Sequence, residues 1–331
     1  MAEHSHCLDE NAVLEALSAW PETDCMAIRL LNHSENHTFL LTAADGPRFT
    51  LRVHRPGYQS AASINSELAW LAALGASTDL PLARPVAGRD GQLLQTINLG
   101  EQAPRFAVLF EFIAGTEPTL ADDLEPIFER LGEFAATMHR HAAMWQPPQG
   151  FERQLWSAGK ILDADGLWGD WRIAPGVDES ARRVLNRLDT VLRTELDEYD
   201  SGPERFGLIH ADMRLGNLLV DGAAISLIDF DDCGFCWFAY DFAAAISFHE
   251  TDASAPMLKA AWLRGYLPVR PLAAADIAAM DTMVLLRRMA LLAWIGSHAE
   301  TALAQTHMSG FAEGTVRLAR AFLDDRGVAI E

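Results

Sequence analysis

LIHADMRLGNLLVDGAAISLIDFDD, residues 208–232, places His210, Asp212, Asn217 and Asp229 within and beside apolar runs. GLIH and NLLV read as two short strands, and AISLIDF as a third after the Asp221-Gly222 turn. Asp212 and Asn217 stand five apart on a loop that enters a strand, and Asp229 ends the partner strand. Strands joined by a tight turn bring their outer ends together. Asn217 and Asp229 are therefore expected at one edge, with Asp212 nearby. A carboxylate, an amide oxygen and phosphate oxygens make a hard-oxygen Mg²⁺ site. A second, separate carboxylate can orient a hydroxyl and accept its proton. Together these are the minimum equipment for phosphoryl transfer from ATP. Asp and Asn also cap turns, but the full set bounded by apolar strands favours the chemical reading.

Upstream, residues 36–43 and 48–54 read as strands joined by an ADGP turn. Residues 61–75 read as a helix whose apolar face is Ile64, Leu68, Leu71 and Leu74, with Gly75 as its stop. QLLQTIN and RFAVLFEFI read as two further strands, and AGTEP breaks the pattern. Beyond residue 120 the signals are mainly helical. Residues 123–143 carry a stripe through Leu124, Ile127, Leu131, Phe134 and Met138. Residues 178–199 open on an Asp cap. Residues 145–177 hold Pro and Gly breakers and several tryptophans, an irregular connection. The expected architecture is α+β: a small antiparallel-sheet lobe over 1–113, a hinge near Glu111–Gly115, and a larger, mostly helical lobe over 114–331.

The formal net charge is −20, which argues against nucleic acid as a partner, because phosphate contacts need Lys and Arg. No window reaches about eighteen uninterrupted apolar residues, and the N-terminus lacks a secretory pattern. The cytoplasm is the expected compartment. The Cys233-x-x-Cys236 pair has no second ligand pair at zinc spacing, and its simplest reading is two semi-buried thiols.

His210-x-Asp212-x-x-x-x-Asn217 followed by Ile228-Asp229-Phe230 and then Tyr240-Asp241 resembles the signature of the aminoglycoside phosphotransferase and choline kinase superfamily, which has a protein-kinase-like fold. Type II homoserine kinases and stress-response kinases look most similar, over roughly residues 25–300. The resemblance implies Asp212 as catalytic base, and Asn217 and Asp229 as Mg²⁺ ligands. It implies that His210 braces the loop and that Asp241 accepts backbone N–H bonds from it. Glu35-Asn36 fits the polar turn that covers the phosphates. Arg52 stands where a lysine is usual, with Glu67 as its helix partner. Arginine keeps its charge and can grip phosphate in a fork. Glu111, Phe112 and Ile113 would meet adenine through backbone atoms.

Eleven residues separate Asp229 from Asp241, and no A-P-E follows. That leaves no room for an extended peptide platform and favours a small hydroxyl substrate, amine-bearing and aminoglycoside-, homoserine- or choline-like. Asp231, Asp232 and Trp237 suit an amine through charge and cation–π contact, and Arg287 suits a carboxylate. The competing readings are a protein Ser/Thr kinase of the stress-response type and a catalytically weak nucleotide-binding regulatory module.

Overall fold

A computed structural model describes residues 8, 10–23, 26–33, 36–44, 46–99 and 103–330. In chain order the elements are α1 (Glu10–Ala16), β1 (Ala27–His33), β2 (His37–Thr42), β3 (Arg48–Val53), α2 (Ala61–Ser77), β4 (Pro85–Val86), β5 (Leu94–Ile97), β6 (Arg105–Glu111), α3 (Leu124–Met144), β7 (Gln154–Leu155), α4 (Ala158–Leu162), α5 (Glu179–Tyr199), β8 (Phe206–Ile209), β9 (Leu218–Asp221), β10 (Ala224–Leu227), β11 (Gly234–Trp237), α6 (Tyr240–Ala245), α7 (Ala255–Tyr266), α8 (Ala274–Ser297), α9 (Ala302–Met308) and α10 (Phe311–Asp325). They form two compact units, each discontinuous in sequence. The first holds Met1–Thr116, Pro147–Arg153 and Leu219–Asp231, and the second holds Glu117–Gln146, Gln154–Leu218 and Asp232–Glu331.

The first unit is built on an antiparallel sheet in the order β1-β2-β3-β6-β4, with β5 also on β6. Alternation along β2 and β3 sends Phe39, Leu41, Phe49 and Leu51 into one core, where Trp20 and Leu109 join them. β1 lies outside the strands expected from sequence. Its register slips between Leu30 and Asn32, and a bulge of this kind erases the two-residue alternation that marks a strand. Helix α2 starts as its sequence demands, with the Ser60 hydroxyl accepting from Ser63 N at 3.0 Å. It buries the expected Ile64, Leu68, Leu71 and Leu74. It does not stop at Gly75. It runs on to Ser77, and the Thr78 amide closes it on Leu74 O. Gly75 keeps helical geometry, so a glycine without a left-handed turn after it is no stop. Gly115 is different: its φ is 139°, and a Cβ there would lie 2.9 Å from Val220 N. The close approach lets Thr116 pair both ways with Val220 on β9.

The second unit is mainly helical. Asp178 caps α5, its side chain accepting from Ala181 N at 2.7 Å, and Val184, Leu188 and Leu192 point into a core shared with α8 and α10. A three-stranded sheet runs β7-β11-β8. β11 was not legible as a strand. It is short and is buried at three of its four positions, so it shows no alternation. Helices α3 and α7 touch at the backbone, because a Cβ on Gly132 would overlap the carbonyl of Trp262, and one on Gly265 that of Glu129. Gly265→Ala must push the two helices apart. We expect a loss of about 2 kcal/mol in urea unfolding, the size of a typical overpacking penalty; a variant as stable as wild type would disprove the contact.

Cys233 and Cys236 are fully buried, and Cys236 Sγ donates to Trp156 O at 3.3 Å. Among the described residues no group of three or more His, Cys, Asp or Glu could hold a metal. Among them, too, no helix is long and apolar enough to cross a membrane.

Candidate active site

In the second unit β8 delivers the chain to His210, and a short turn at Leu215–Asn217 delivers it to β9. Between them Ala211 has φ of 67°, a left-handed conformation that costs a residue with a Cβ on the order of 1 kcal/mol. Asp241 offsets this cost. One of its oxygens accepts from Ala211 N at 2.8 Å and the other from His210 N at 3.3 Å. The helix α6 cap is Ala239, with no side-chain bond, so Asp241 serves the loop and not the helix end. His210, buried, accepts from Asp212 N through Nδ1 at 3.2 Å, a bond within the loop.

Behind Asp241 stands His139, a residue that sequence reading passed over. Its Nε2 lies 2.8 Å from Asp241 and its Nδ1 2.9 Å from the Tyr266 hydroxyl. Burial holds His139 below the ordinary histidine range, against the pull of Asp241. The neutral ring then donates from Nε2 to Asp241 and accepts from Tyr266 at Nδ1. A histidine inside the apolar stripe of α3 was the available signal.

Asp212 has both carboxylate oxygens engaged. Oδ1 accepts from Arg287 Nη2 at 2.5 Å, and Oδ2 from Asn217 Nδ2 at 2.7 Å and Arg214 Nε at 3.3 Å. Burial alone would raise its pKa, but the charges of Arg214 and Arg287 outweigh burial and hold it below the usual carboxylate range. Asp212 is therefore an anion. Asn217 spends its amide nitrogen on Asp212 and keeps its carbonyl oxygen as a hard donor.

The first unit carries a buried cation of its own. Arg52 on β3 grips Glu67 on α2 with Nη2, at 2.8 and 2.7 Å from its two oxygens. Its Nη1 lies 3.5 Å from Asp229 Oδ1, and Nε has no hydrogen-bond partner among the described residues. Arg52 is buried yet stays charged: burial lowers its pKa, and Glu67 with Asp231 and Asp229 raises it further. Asp229, like Ala211, is a non-glycine residue in left-handed geometry, with φ of 61°. Two residues on, Asp231 ties this segment down. Its Oδ2 accepts from Asn36 Nδ2 at 2.8 Å, and its carbonyl accepts from Gln59 at 3.2 Å and from buried Arg153. Nearby His54 is pushed down to about 3 by burial and by Arg52, so it is neutral.

Some expectations need correction. Arg287 is not offered to a substrate carboxylate. It is buried inside α8, and its Nε, Nη1 and Nη2 go to Ser247, Ala211 O and Asp212. Asp231 is buried within its own unit, its Oδ2 held by Asn36, and its Oδ1 has no hydrogen-bond partner among the described residues. Trp237 is buried, and it lies at the wrong end of its strand. The β11–β8 register pairs Gly234 with Ile209, next to His210, but Trp237 with Phe206. Its indole donates to Asp200 O at 3.0 Å. Asp232 is half-buried, one oxygen accepting from Gln154 at 3.2 Å. Glu35 lies outside the described residues. Where the hinge was expected, Glu111 N and Phe112 N donate to Arg84 O and Arg48 O, and Ile113 is the first residue beyond β6 whose amide has no hydrogen bond among the described residues. Asn217 and Asp229 belong to different units, the second and the first.

An antiparallel sheet unit, a helical unit and this loop define a small-molecule kinase of the protein-kinase-like fold. The chain belongs to the phosphotransferase enzyme family (APH), which it matches over residues 27–276. It is 31% identical over 260 residues to a homoserine kinase of Rhodospirillum rubrum, covering 75% of this chain and 73% of that one. It is 25% identical over 215 residues to amicoumacin kinase of Bacillus subtilis, covering 65% of this chain and 60% of that one. Among solved structures, a microcompartment-associated aminopropanol kinase is 40% identical, with a TM-score of 0.88 over 98% of this chain and 100% of that one. The choline kinase LicA of Streptococcus pneumoniae shares the fold at 13% identity and a TM-score of 0.61.

Proposed function

We propose that the protein transfers the γ-phosphoryl group of ATP, with Mg²⁺, to the hydroxyl of a small amino alcohol of the aminopropanol kind. The observation that carries this reading is Asp212, an anion pinned on a strained loop with its carboxylate oriented from both sides. The likeness to an aminopropanol kinase, 40% identical over nearly the whole chain, supports the acceptor class.

Each residue then has a physical task. Asp212 accepts the hydrogen bond of the acceptor hydroxyl, aims its oxygen, and takes the proton as the new P–O bond forms. Its low proton affinity suits an orienting acceptor more than a strong base. Arg52, braced by Glu67, binds phosphate oxygens with the N–H groups that Glu67 leaves over. Asn36 immediately precedes β2 and ties its start to Asp231. Ile113 offers backbone atoms to adenine. The carbonyl oxygen of Asn217 and the carboxylate of Asp229 are hard donors that suit Mg²⁺. When bound, the ion's contribution is to neutralise charge on the phosphate oxygens. The use of ATP fits the cytoplasm as the compartment of the activity.

A protein substrate fits less well. The segment after Asp229 is consumed by β11, which is hydrogen-bonded on both sides by β7 and β8, so it provides no peptide platform. The regulatory-module reading rests on Arg52 alone.

The test is transfer from labelled ATP across aminopropanol, homoserine, choline and an aminoglycoside, with wild type and Asp229→Ala. We expect aminopropanol or a near analogue to lead. We also expect Asp229→Ala to lose Mg²⁺-dependent thermal stabilisation by ATP while melting normally without it. Asp229→Ala binding ATP-Mg²⁺ as tightly as wild type would refute the metal assignment. ATP binding without transfer to any acceptor would install the regulatory module instead.

A further inference from the structure

Arg287 is a charged side chain in the middle of α8, only 1% exposed, and the proposed chemistry gives it no ligand to bind. Its bonds converge on one place. Nη2 donates to Asp212 Oδ1 at 2.5 Å, and Nη1 donates to Ala211 O at 3.3 Å. Nε is anchored by Ser247 Oγ at 3.0 Å. Half-buried Trp168 covers the guanidinium, with its ring centre 4.9 Å away, and Tyr240 stands at 5.9 Å. The strained Ala211 is thus held from two directions: its N–H by Asp241 and its carbonyl by Arg287. The same guanidinium then fixes the side chain of the next residue.

We propose that Arg287 is a positioning residue for phosphoryl transfer, setting both the backbone turn before Asp212 and the face its carboxylate presents to the acceptor hydroxyl. The proposal rests on Asp212 being the acceptor-orienting group. A planar fork can hold a carbonyl and a carboxylate at once, whereas an ammonium is a single point charge on a flexible stem. Burial under Trp168 keeps water from competing for those bonds. Trp168 comes from the irregular connection between α4 and α5, so that connection acts on the loop through Arg287 and not through a bond of its own to Asp212.

The test compares Arg287→Ala and Arg287→Lys with wild type and Asp212→Asn. It reads single-turnover transfer from ATP to aminopropanol, or to the best acceptor of the screen, alongside ATP affinity. A misplaced catalytic group costs on the order of 10²-fold. We therefore expect Arg287→Ala to lose about that much in kcat with ATP affinity unchanged, and Arg287→Lys to lie between it and wild type. Guanidinium ion at non-denaturing concentration should restore transfer in Arg287→Ala by refilling the space with the same fork, and neutral urea should not. Rescue by urea as well as guanidinium, or by neither, overturns the proposal. So does wild-type kcat in Arg287→Lys, the variant that still decides the question should Arg287→Ala not fold. Full activity in Arg287→Ala with a crippled Asp212→Asn also overturns it while leaving the Asp212 reading standing. Full activity in both removes the Asp212 reading itself.

Discussion

Asp212→Asn should lower transfer to the acceptor by roughly 10²–10⁴-fold, the range of a general acid–base contribution, while ATP-Mg²⁺ binding persists. The replacement is isosteric, so the hydrogen bond from Arg287 to the Oδ1 position can survive. What disappears is the negative charge and one acceptor for the substrate proton. Background ATP hydrolysis should fall less than acceptor transfer, because water needs less precise orientation than a bound hydroxyl. Single-turnover transfer with labelled ATP measures both. Unchanged transfer to the acceptor would end the catalytic assignment.

Glu250→Ala should destabilise the helical unit by about 3–5 kcal/mol, the usual cost of stripping one partner from a buried ion pair. Glu250 and Arg288 face each other at 2.5 Å with side chains 1% and 3% exposed. Arg288 also donates to Thr315 Oγ1 and Phe311 O, each at 3.0 Å, and stacks on Phe311. Those neutral acceptors cannot replace the lost charge. Burial already pulls the Arg288 pKa down against the pull of Glu250, so the environment disfavours a lone cation. The melting temperature should drop by roughly 10 °C, since each kcal/mol is worth about 2–4 °C for a unit of this size. Glu250→Leu combined with Arg288→Met should cost less than Glu250→Ala alone, because no charge is left behind. A loss below about 1 kcal/mol for Glu250→Ala in thermal and urea unfolding would show that water reaches the pair.

Local features of this protein were legible in its sequence because their causes lie within a few residues. The Asp178 cap, the Ile64–Leu74 face of α2 and the five-residue spacing of Asp212 and Asn217 are of this kind. The pairing of Arg52 with Glu67 was legible too, through the family resemblance. Elements whose pattern is broken by their surroundings were not. The bulge in β1 hides its alternation, burial on both faces hides β11, and a helix that finds packing beyond Gly75 ignores the glycine. The charged side chains depended most on the tertiary structure. Asp231, Trp237 and Arg287 carry the right chemistry for a substrate, and composition cannot say whether it is spent. Arg287 meets Asp212 from 75 residues away, Asp231 meets Asn36 from 195 away, and a strand register of four residues turns Trp237 from the loop that carries Asp212. A hydrogen-bonding group serves whichever partner packing brings within about 3 Å, and packing at such separations is decided by the whole fold.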